Sequence, residues 1–329
     1  MKKKTAFVTG ASGFIGNRVI RVLLNHGFYV RAGVHQHNNL KGIQDNPDCE
    51  IIKIDICSQS SLKDVFNDVD YLFHFAAVVD SKASYEKLYR VNVLGTQNVW
   101  KAASISNVKK TLYCSSTAVY GLLSNNGELL SEKMPARAVE PYGRSKLEGE
   151  RVVNEISSEN GLKTIVIRPS AVFGPGENTH FGRELRRAAF SKILLGGGFQ
   201  NKKFSFVHVQ DVAEASVFLM DSDINGEIFN ITVNQPLSYE EAFQAYIRAL
   251  RRAGTKYMTL RLFGKISSLI EKQPIILNWM RSLGGNKFIF NIWRPGFDMN
   301  YSSQKLLSTS FRLHWENFED VILSCIKDS

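Results

Sequence analysis

The sequence predicts an α/β chain built on a doubly wound parallel sheet, with a smaller mixed lobe toward its C-terminus. Short β-branched or aromatic runs alternate with helix-length amphipathic segments, the order that parallel strands and crossover helices require. A glycine-rich turn, Gly10-Ala11-Ser12-Gly13-Phe14-Ile15-Gly16, follows the first run and opens a helix. After Arg168 the alternation fades into the breaker cluster Pro169, Gly174, Pro175 and Gly176, where the chain leaves the sheet.

In order, the expected strands are Thr5–Thr9, Tyr29–Val34, Ile51–Ile54, Tyr71–Phe75, Thr111–Ser115 and Thr164–Arg168. Between Tyr85 and Ala103 the apolar positions Leu88, Val91, Val93, Val99 and Ala102 suit one helix packed on that sheet. Residues 1–173 then form the first domain, and 204–233 return to it through Phe204–Val209 and a helix over Val212–Met220. Residues 174–203 and 234–329 are left for the second lobe. Six strands in this order place a ligand at their carboxyl ends.

The 329 residues can bury a sizeable core, with an ordinary apolar fraction of 44%. Three lysines open the chain, but the apolar run Ala6–Val8 is far too short for a signal-peptide core. Met258 to Met280 is broken by Arg261, Lys265, Glu271, Lys272 and Pro274, so it does not supply the roughly 20 apolar residues of a membrane span. Cys49, Cys57, Cys114 and Cys325 show neither metal-ligand nor disulfide-framework spacing. A cytoplasmic protein with incidental thiols and no metal is expected. The formal charge of +10 is concentrated at Arg183, Arg186, Arg187, Lys192, Lys202 and Lys203. That cluster is a solvated face, or else the neighbour of an anionic substrate or a peripherally touched acidic membrane. Without recognition-helix, zinc-finger or ribonucleoprotein motifs, nucleic acid is not an expected partner.

In the glycine turn, Gly10 permits the tight bend, Gly13 lets backbone amides approach a diphosphate, and Gly16 allows close helix packing, with Ser12, Phe14 and Ile15 lining the approach. Asp55-Ile56 ends the third strand, where the carboxylate either accepts from an adenine amino group or caps the turn before Ser58. Ala76 and Ala77 leave room at the tip of the fourth strand for ribose and diphosphate, or simply pack. Pro141-Tyr142-Gly143-Arg144-Ser145-Lys146 puts Tyr142 and Lys146 at i and i+4 on one helix face entered at proline. A free phenol titrates near pH ~10, so the ammonium is needed to make Tyr142 a competent acid or base. Ser116, at the end of the fifth strand, is a hydroxyl able to polarise the same substrate oxygen.

Together with Val91-Asn92-Val93-Leu94-Gly95-Thr96, Tyr113-Cys114-Ser115-Ser116-Thr117-Ala118-Val119-Tyr120-Gly121, Arg168-Pro169-Ser170-Ala171-Val172-Phe173-Gly174-Pro175 and Phe206-Val207-His208-Val209-Gln210-Asp211, these motifs resemble the extended short-chain dehydrogenase/reductase superfamily, which includes the NAD-dependent epimerases and dehydratases. The likeness covers about residues 5 to 233. It implies a Rossmann fold and a nicotinamide cofactor. It makes Ser116, Tyr142 and Lys146 catalytic, gives Asn92 the ordering of the helix and water behind the lysine, and sets Pro169 and Ser170 beside the nicotinamide carboxamide. It also implies a homodimer. NAD-binding relatives end the second strand in a carboxylate; here that stretch reads Val30-Arg31-Ala32-Gly33-Val34-His35, which favours NADP slightly over NAD, with Arg31, His35, His37 and Lys41 as candidate phosphate partners.

Related nucleotide-sugar dehydratases carry Thr-Asp-Glu where Ser116-Thr117-Ala118 stands, so elimination of water lacks its proton donors here. The run from Gly196-Gly197-Gly198 to Val209 looks like the 3β-hydroxysteroid dehydrogenase and dihydroflavonol reductase branch, as does, loosely, an amphipathic stretch over Leu260–Leu283, unless that stretch is an ordinary lobe helix. Hydride transfer to or from a secondary alcohol or ketone on a hydrophobic substrate is therefore expected, steroid-like, acyl or aromatic. The alternative is a nucleotide-sugar 4-epimerase holding NAD tightly, since the same triad serves both. A non-catalytic nicotinamide-binding regulator would have no chemical need for Tyr142 and Lys146 together. The expected pocket is walled by Phe173, Phe181, Phe199 and Phe204 with a rim of Arg183, Arg186 and Arg187.

Overall fold

The computed structural model describes residues 3–35, 40, 42–80, 83–121, 129–177, 193–197, 202–254, 258–262 and 299–327. His37, Lys41, Phe181, Arg183, Arg186, Arg187, Lys192 and Phe199 lie outside them, as does the stretch beyond Leu262 up to Leu283.

Strand β1 (Thr5–Thr9) is buried at every residue, because it is covered on both faces and flanked by strands on both edges. It pairs in parallel with β2 (Tyr29–Val34) and β4 (Tyr71–His74), with Thr9 facing both Gly33 and His74. The strands β3 (Cys49–Lys53), β5 (Lys110–Cys114) and β6 (Thr164–Pro169) extend the sheet outward. Four short strands follow: β7 (Ala171–Phe173), β8 (Ile193–Gly197), β9 (Lys203–Phe204) and β10 (Phe206–His208). The seventh strand of the main sheet is β11 (Glu227–Ile231), giving the order β11-β6-β5-β4-β1-β2-β3. The order reverses between β1 and β4, and at such a switch point a crevice opens at the carboxyl ends of the strands.

Side chains alternate between two layers. Ala6 and Val8 pack with Val19, Ile20 and Leu23 of α1 (Phe14–Asn25), while Phe7 points to the opposite face with Trp100 and Val153. Each fully buried aliphatic or aromatic side chain of this kind contributes roughly 1.5–3 kcal/mol. The second face carries α2 (Tyr85–Tyr89), α3 (Thr96–Ile105) and α4 (Pro141–Asn160). The single helix expected over Tyr85–Ala103 is interrupted by a π-helical segment at Arg90–Gly95. A π-bulge shifts the hydrogen-bond register by one residue and recurs at functional sites.

At the free edge of β11, the Glu132 carboxylate accepts the Asn230 backbone N–H at 2.7 Å and Lys305 donates to the Ile228 carbonyl at 2.7 Å. Side chains thereby occupy the groups that another strand would use. β12 (Leu237–Ser238) pairs antiparallel with β9, and β13 (Met258–Leu262) pairs parallel with β8. Leu260–Leu262, the described start of the amphipathic stretch, is thus strand rather than helix. Phe173 and Phe204 do not wall a pocket. They are 1% and 2% exposed and pack edge-on against each other and against Phe318, in a core shared with α5 (Tyr239–Arg252). Among the described residues no helix is long and apolar enough to cross a membrane.

A buried ion pair joins α4 to β6. Arg168 donates from Nε and Nη2 to the two Glu150 oxygens at 2.8 and 2.6 Å, and from Nη1 to the Tyr120 hydroxyl at 2.9 Å. Tyr120 in turn donates to Asn230 Oδ1, so every charged atom of the pair is satisfied. Arg168→Met leaves the Glu150 charge buried without its partner, and urea unfolding should show a loss of about 3–5 kcal/mol. Adding Glu150→Leu to that variant should recover part of the loss; a double variant less stable than the single would contradict the assignment.

Candidate active site

The glycine turn is built by contact with the tip of β4. Gly10 has φ +68°, and a Cβ there would stand 2.6 Å from the Ala76 amide; a Cβ on Gly16 would stand 2.3 Å from the Gly10 carbonyl. Only bare backbone fits in either place. Gly13 starts α1 with no side-chain cap and no acidic residue in the first turn, so the first amides, over Ser12, Phe14 and Ile15, present positive potential to an anion. Ala76 and Ala77, both half-buried, continue β4 past that turn.

Beneath the turn runs a hydrogen-bonded string whose direction is forced by its ends. The Ala76 N–H donates to Thr9 Oγ1, the Thr9 hydroxyl to His74 Nδ1 at 2.7 Å, His74 Nε2–H to Thr96 Oγ1 at 3.0 Å, and the Thr96 hydroxyl to the Asn92 carbonyl at 2.7 Å. His74 is neutral, since burial and the nearby Lys146 push it down to about 3. Asn92 sits in the π turn, fully buried. Its side chain holds Val78 through both amide atoms at 2.8 and 3.1 Å and donates to Ser145 Oγ at 3.0 Å. Asn92 therefore fixes the helix that follows Pro141 to the strand tip through Ser145, whose hydroxyl also donates to the Tyr142 carbonyl.

Proline at the first position of α4 presets the backbone that brings Tyr142 and Lys146 onto one face. Burial and Cys114 push the Tyr142 phenol above the usual tyrosine range, with the Ser116 hydroxyl drawing it the other way. Lys146 is 2% exposed; burial draws its ammonium down to about 8, with Cys114 and Glu150 acting the other way. A phenolate formed at Tyr142 therefore has a cation within its own helical turn in a poorly hydrated site, where charge stabilisation is strongest.

The remaining positions divide. Asp55 caps its own turn, accepting from the Cys57 amide at 2.9 Å, and its other oxygen lies 4.0 Å from His35 Nε2. Asp55, the adjoining buried Ile56 and His35 thus meet at the ends of β2 and β3. Arg31 does not join them. It lies mid-strand opposite Phe7, and its guanidinium pairs with Glu50 at 3.2 Å and donates to the Asn67 carbonyl. Pro169 ends β6, and Ser170, 8% exposed, has a hydroxyl without a hydrogen-bond partner among the described residues. The same holds for Ser115, beside Ser116. An uncapped glycine turn, small residues at a strand tip and orphaned buried hydroxyls at the far end are the features a dinucleotide with a carboxamide head would complete.

Sequence reasoning passed over Tyr113, His74, Thr96 and Gly149. A Cβ at Gly149 would lie 2.1 Å from the Tyr113 hydroxyl, so α4 rides directly on β5. The signal was present: glycines at 143 and 149 in an otherwise helical run mark a close approach.

The model of the NAD dependent epimerase/dehydratase family matches residues 6–232. Over 267 residues the chain is 29% identical to human sterol-4-alpha-carboxylate 3-dehydrogenase, decarboxylating, covering 77% of this chain and 69% of that protein. Identity is also 29% over 262 residues to Arabidopsis thaliana 3beta-hydroxysteroid-dehydrogenase/decarboxylase isoform 2, covering 71% and 45%. The chain spans from 45% to 69% of the length of such curated relatives. Thermus thermophilus UDP-glucose 4-epimerase, in complex with NAD, superposes with a TM-score of 0.74 at 21% identity, covering 98% of each chain, which is a likeness of fold.

Gly10→Ala should weaken binding of reduced nicotinamide dinucleotide by about tenfold or more, whereas Tyr142→Phe should leave it nearly unchanged. Fluorescence titration reads both; equal affinities in wild type and Gly10→Ala would contradict the assigned cradle.

Proposed function

Because this chain belongs to the NAD-dependent epimerase/dehydratase family, and is thus a nicotinamide-dependent enzyme of the extended short-chain type, we propose that it transfers hydride between the cofactor and a secondary alcohol or ketone on a hydrophobic, sterol-like substrate. What carries the reading is the Ser116–Tyr142–Lys146 constellation at the sheet's switch point, in a chain whose curated relatives include sterol dehydrogenases. The likeness to a 4-epimerase is one of fold, and fold alone does not select a chemistry.

When bound, the cofactor supplies hydride-donating and hydride-accepting chemistry at its nicotinamide ring. The glycine turn and the first amides of α1 would hold its diphosphate, with Asp55 and His35 at its adenosine end and Ser170 at the carboxamide. In the direction of reduction, Tyr142 gives its phenolic proton to the substrate carbonyl oxygen, while the Ser116 hydroxyl donates to the same oxygen and orients it. The phenolate left behind is stabilised by the Lys146 ammonium, and oxidation reverses each proton movement. Asn92 acts on geometry by holding Ser145 and the segment at Val78.

We further propose NADP(H) as the cofactor by a narrow margin. No carboxylate ends β2, and His35 stands there with two-thirds of its side chain exposed. The margin is narrow because Asp55 shares that corner and Arg31 is committed elsewhere.

A panel of sterol, acyl and aromatic ketones, including β-keto acids, should oxidise the reduced cofactor, faster with NADPH than NADH, while UDP- and GDP-sugars stay silent. Tyr142→Phe should lower that turnover by roughly 10² to 10⁴. Interconversion of a UDP-sugar without net cofactor oxidation, and silence of every ketone, would overturn the assignment in favour of an epimerase.

A further inference from the structure

We propose that Tyr113 is a positioning residue for proton transfer, its ring face serving as the platform that seats the Lys146 ammonium and keeps it charged. This rests on the role given to Lys146 above.

Lys146 Nζ lies 4.3 Å from the centroid of the Tyr113 ring. Tyr113 is fully buried and Lys146 nearly so, so the cation meets the negative face of an aromatic ring where water competes little. That is the setting in which a cation–π contact is strongest. The groups facing the ammonium are Cys114 beside Tyr113 on β5, His74 on β4, and Glu150 on its own helix. Cys114 is a neutral thiol, pushed up to about 11 by burial, and His74 is a neutral imidazole. Glu150 is the one formal anion among them, and both its oxygens are taken by Arg168. The ring face is therefore the contact left to hold the ammonium before a ligand arrives.

The platform is itself fixed. His74 stacks on the Tyr113 ring at 5.9 Å and 19°, and Trp100 meets it edge-on at 5.8 Å and 89°. Trp100 is anchored by its indole N–H to Ser157 Oγ of α4. The Tyr113 hydroxyl reaches the Lys146 carbonyl at 3.5 Å, a marginal contact, so the proposal rests on the ring rather than on the hydroxyl. Burial and the Glu150 carboxylate keep that phenol protonated.

The test is titration of the Lys146 side chain by NMR in the full chain labelled with [ε-¹³C]lysine, with Lys146→Arg identifying the resonance. Tyr113→Phe keeps the face and should titrate like the wild type. Replacing Tyr113 by difluoro- and then trifluorophenylalanine withdraws electron density from the face with little change of size, so a variant that folds like phenylalanine still tests the contact. The midpoint should fall stepwise along that series, by about one pH unit overall, a tenfold fall in the ratio of ammonium to amine at fixed pH. Tyr113→Leu, where it folds, should fall at least as far. A flat series, or a Tyr113→Phe midpoint already as low as that of the trifluoro variant, overturns the proposal. The titration needs no substrate: silence of every ketone leaves its result standing, and a flat series leaves the substrate assignment untouched.

Discussion

An ammonium group held almost out of water, at Lys146, sets the terms for what surrounds it. Desolvation favours loss of its proton, and a neutral amine would stabilise no phenolate at Tyr142. The neighbouring groups answer that constraint in different ways. Glu150 supplies negative potential but is tied to Arg168, which keeps the carboxylate from collapsing onto the lysine and joins α4 to β6. His74, a group that would repel the ammonium if charged, has both ring nitrogens engaged by Thr9 and Thr96. The glycine turn is drawn into the same arrangement, since Thr9 also takes the Ala76 amide. Glycine turn, π turn and α4 are thus parts of one buried polar structure, of the kind in which loss of one member leaves the others unsatisfied.

Much of this was legible in the chain. The glycine spacing located the cradle, and six of seven strands of the main sheet were readable because buried parallel strands are nearly continuous apolar runs. Tyr142 and Lys146 were readable because a 3.6-residue period fixes i and i+4 on one face. The illegible parts share a physical cause. β11 is as long as β1 but opens on Glu227 and carries Asn230, whose polarity is explained by partners distant in sequence, Tyr120, Leu130 and Ser302. The π turn at Arg90–Gly95 adds a residue to one turn without interrupting the apolar pattern. Arg31 sits in the expected strand, yet its destination was decided by Glu50 across the β2–β3 ladder. Phe173 and Phe204 have the composition of a pocket wall and the placement of a core, a distinction that only packing against Phe318 makes.

The triad serves several reactions equally, because oxidation and re-reduction of a carbinol carbon use the same proton and the same hydride. What separates a dehydrogenase from an epimerase is whether the oxidised intermediate leaves or turns over within the site, which a proton donor such as Tyr142 does not decide. The chain's 29% identity to sterol dehydrogenases extends over more than two-thirds of its length, and it lacks the acidic pair that dehydration requires at Thr117-Ala118. The missing acidic pair argues against dehydration alone, because oxidation and re-reduction of a carbinol carbon need no acid and base at those two positions.

Hydride transfer to an external ketone is tested most directly by following the hydride itself. Incubation with a hydrophobic ketone and reduced cofactor deuterated at nicotinamide C4 should place deuterium on the carbinol carbon of the product, with one oxidised cofactor formed for each alcohol. Product formed without deuterium and without oxidised cofactor, from a nucleotide-sugar in place of the ketone, would contradict it.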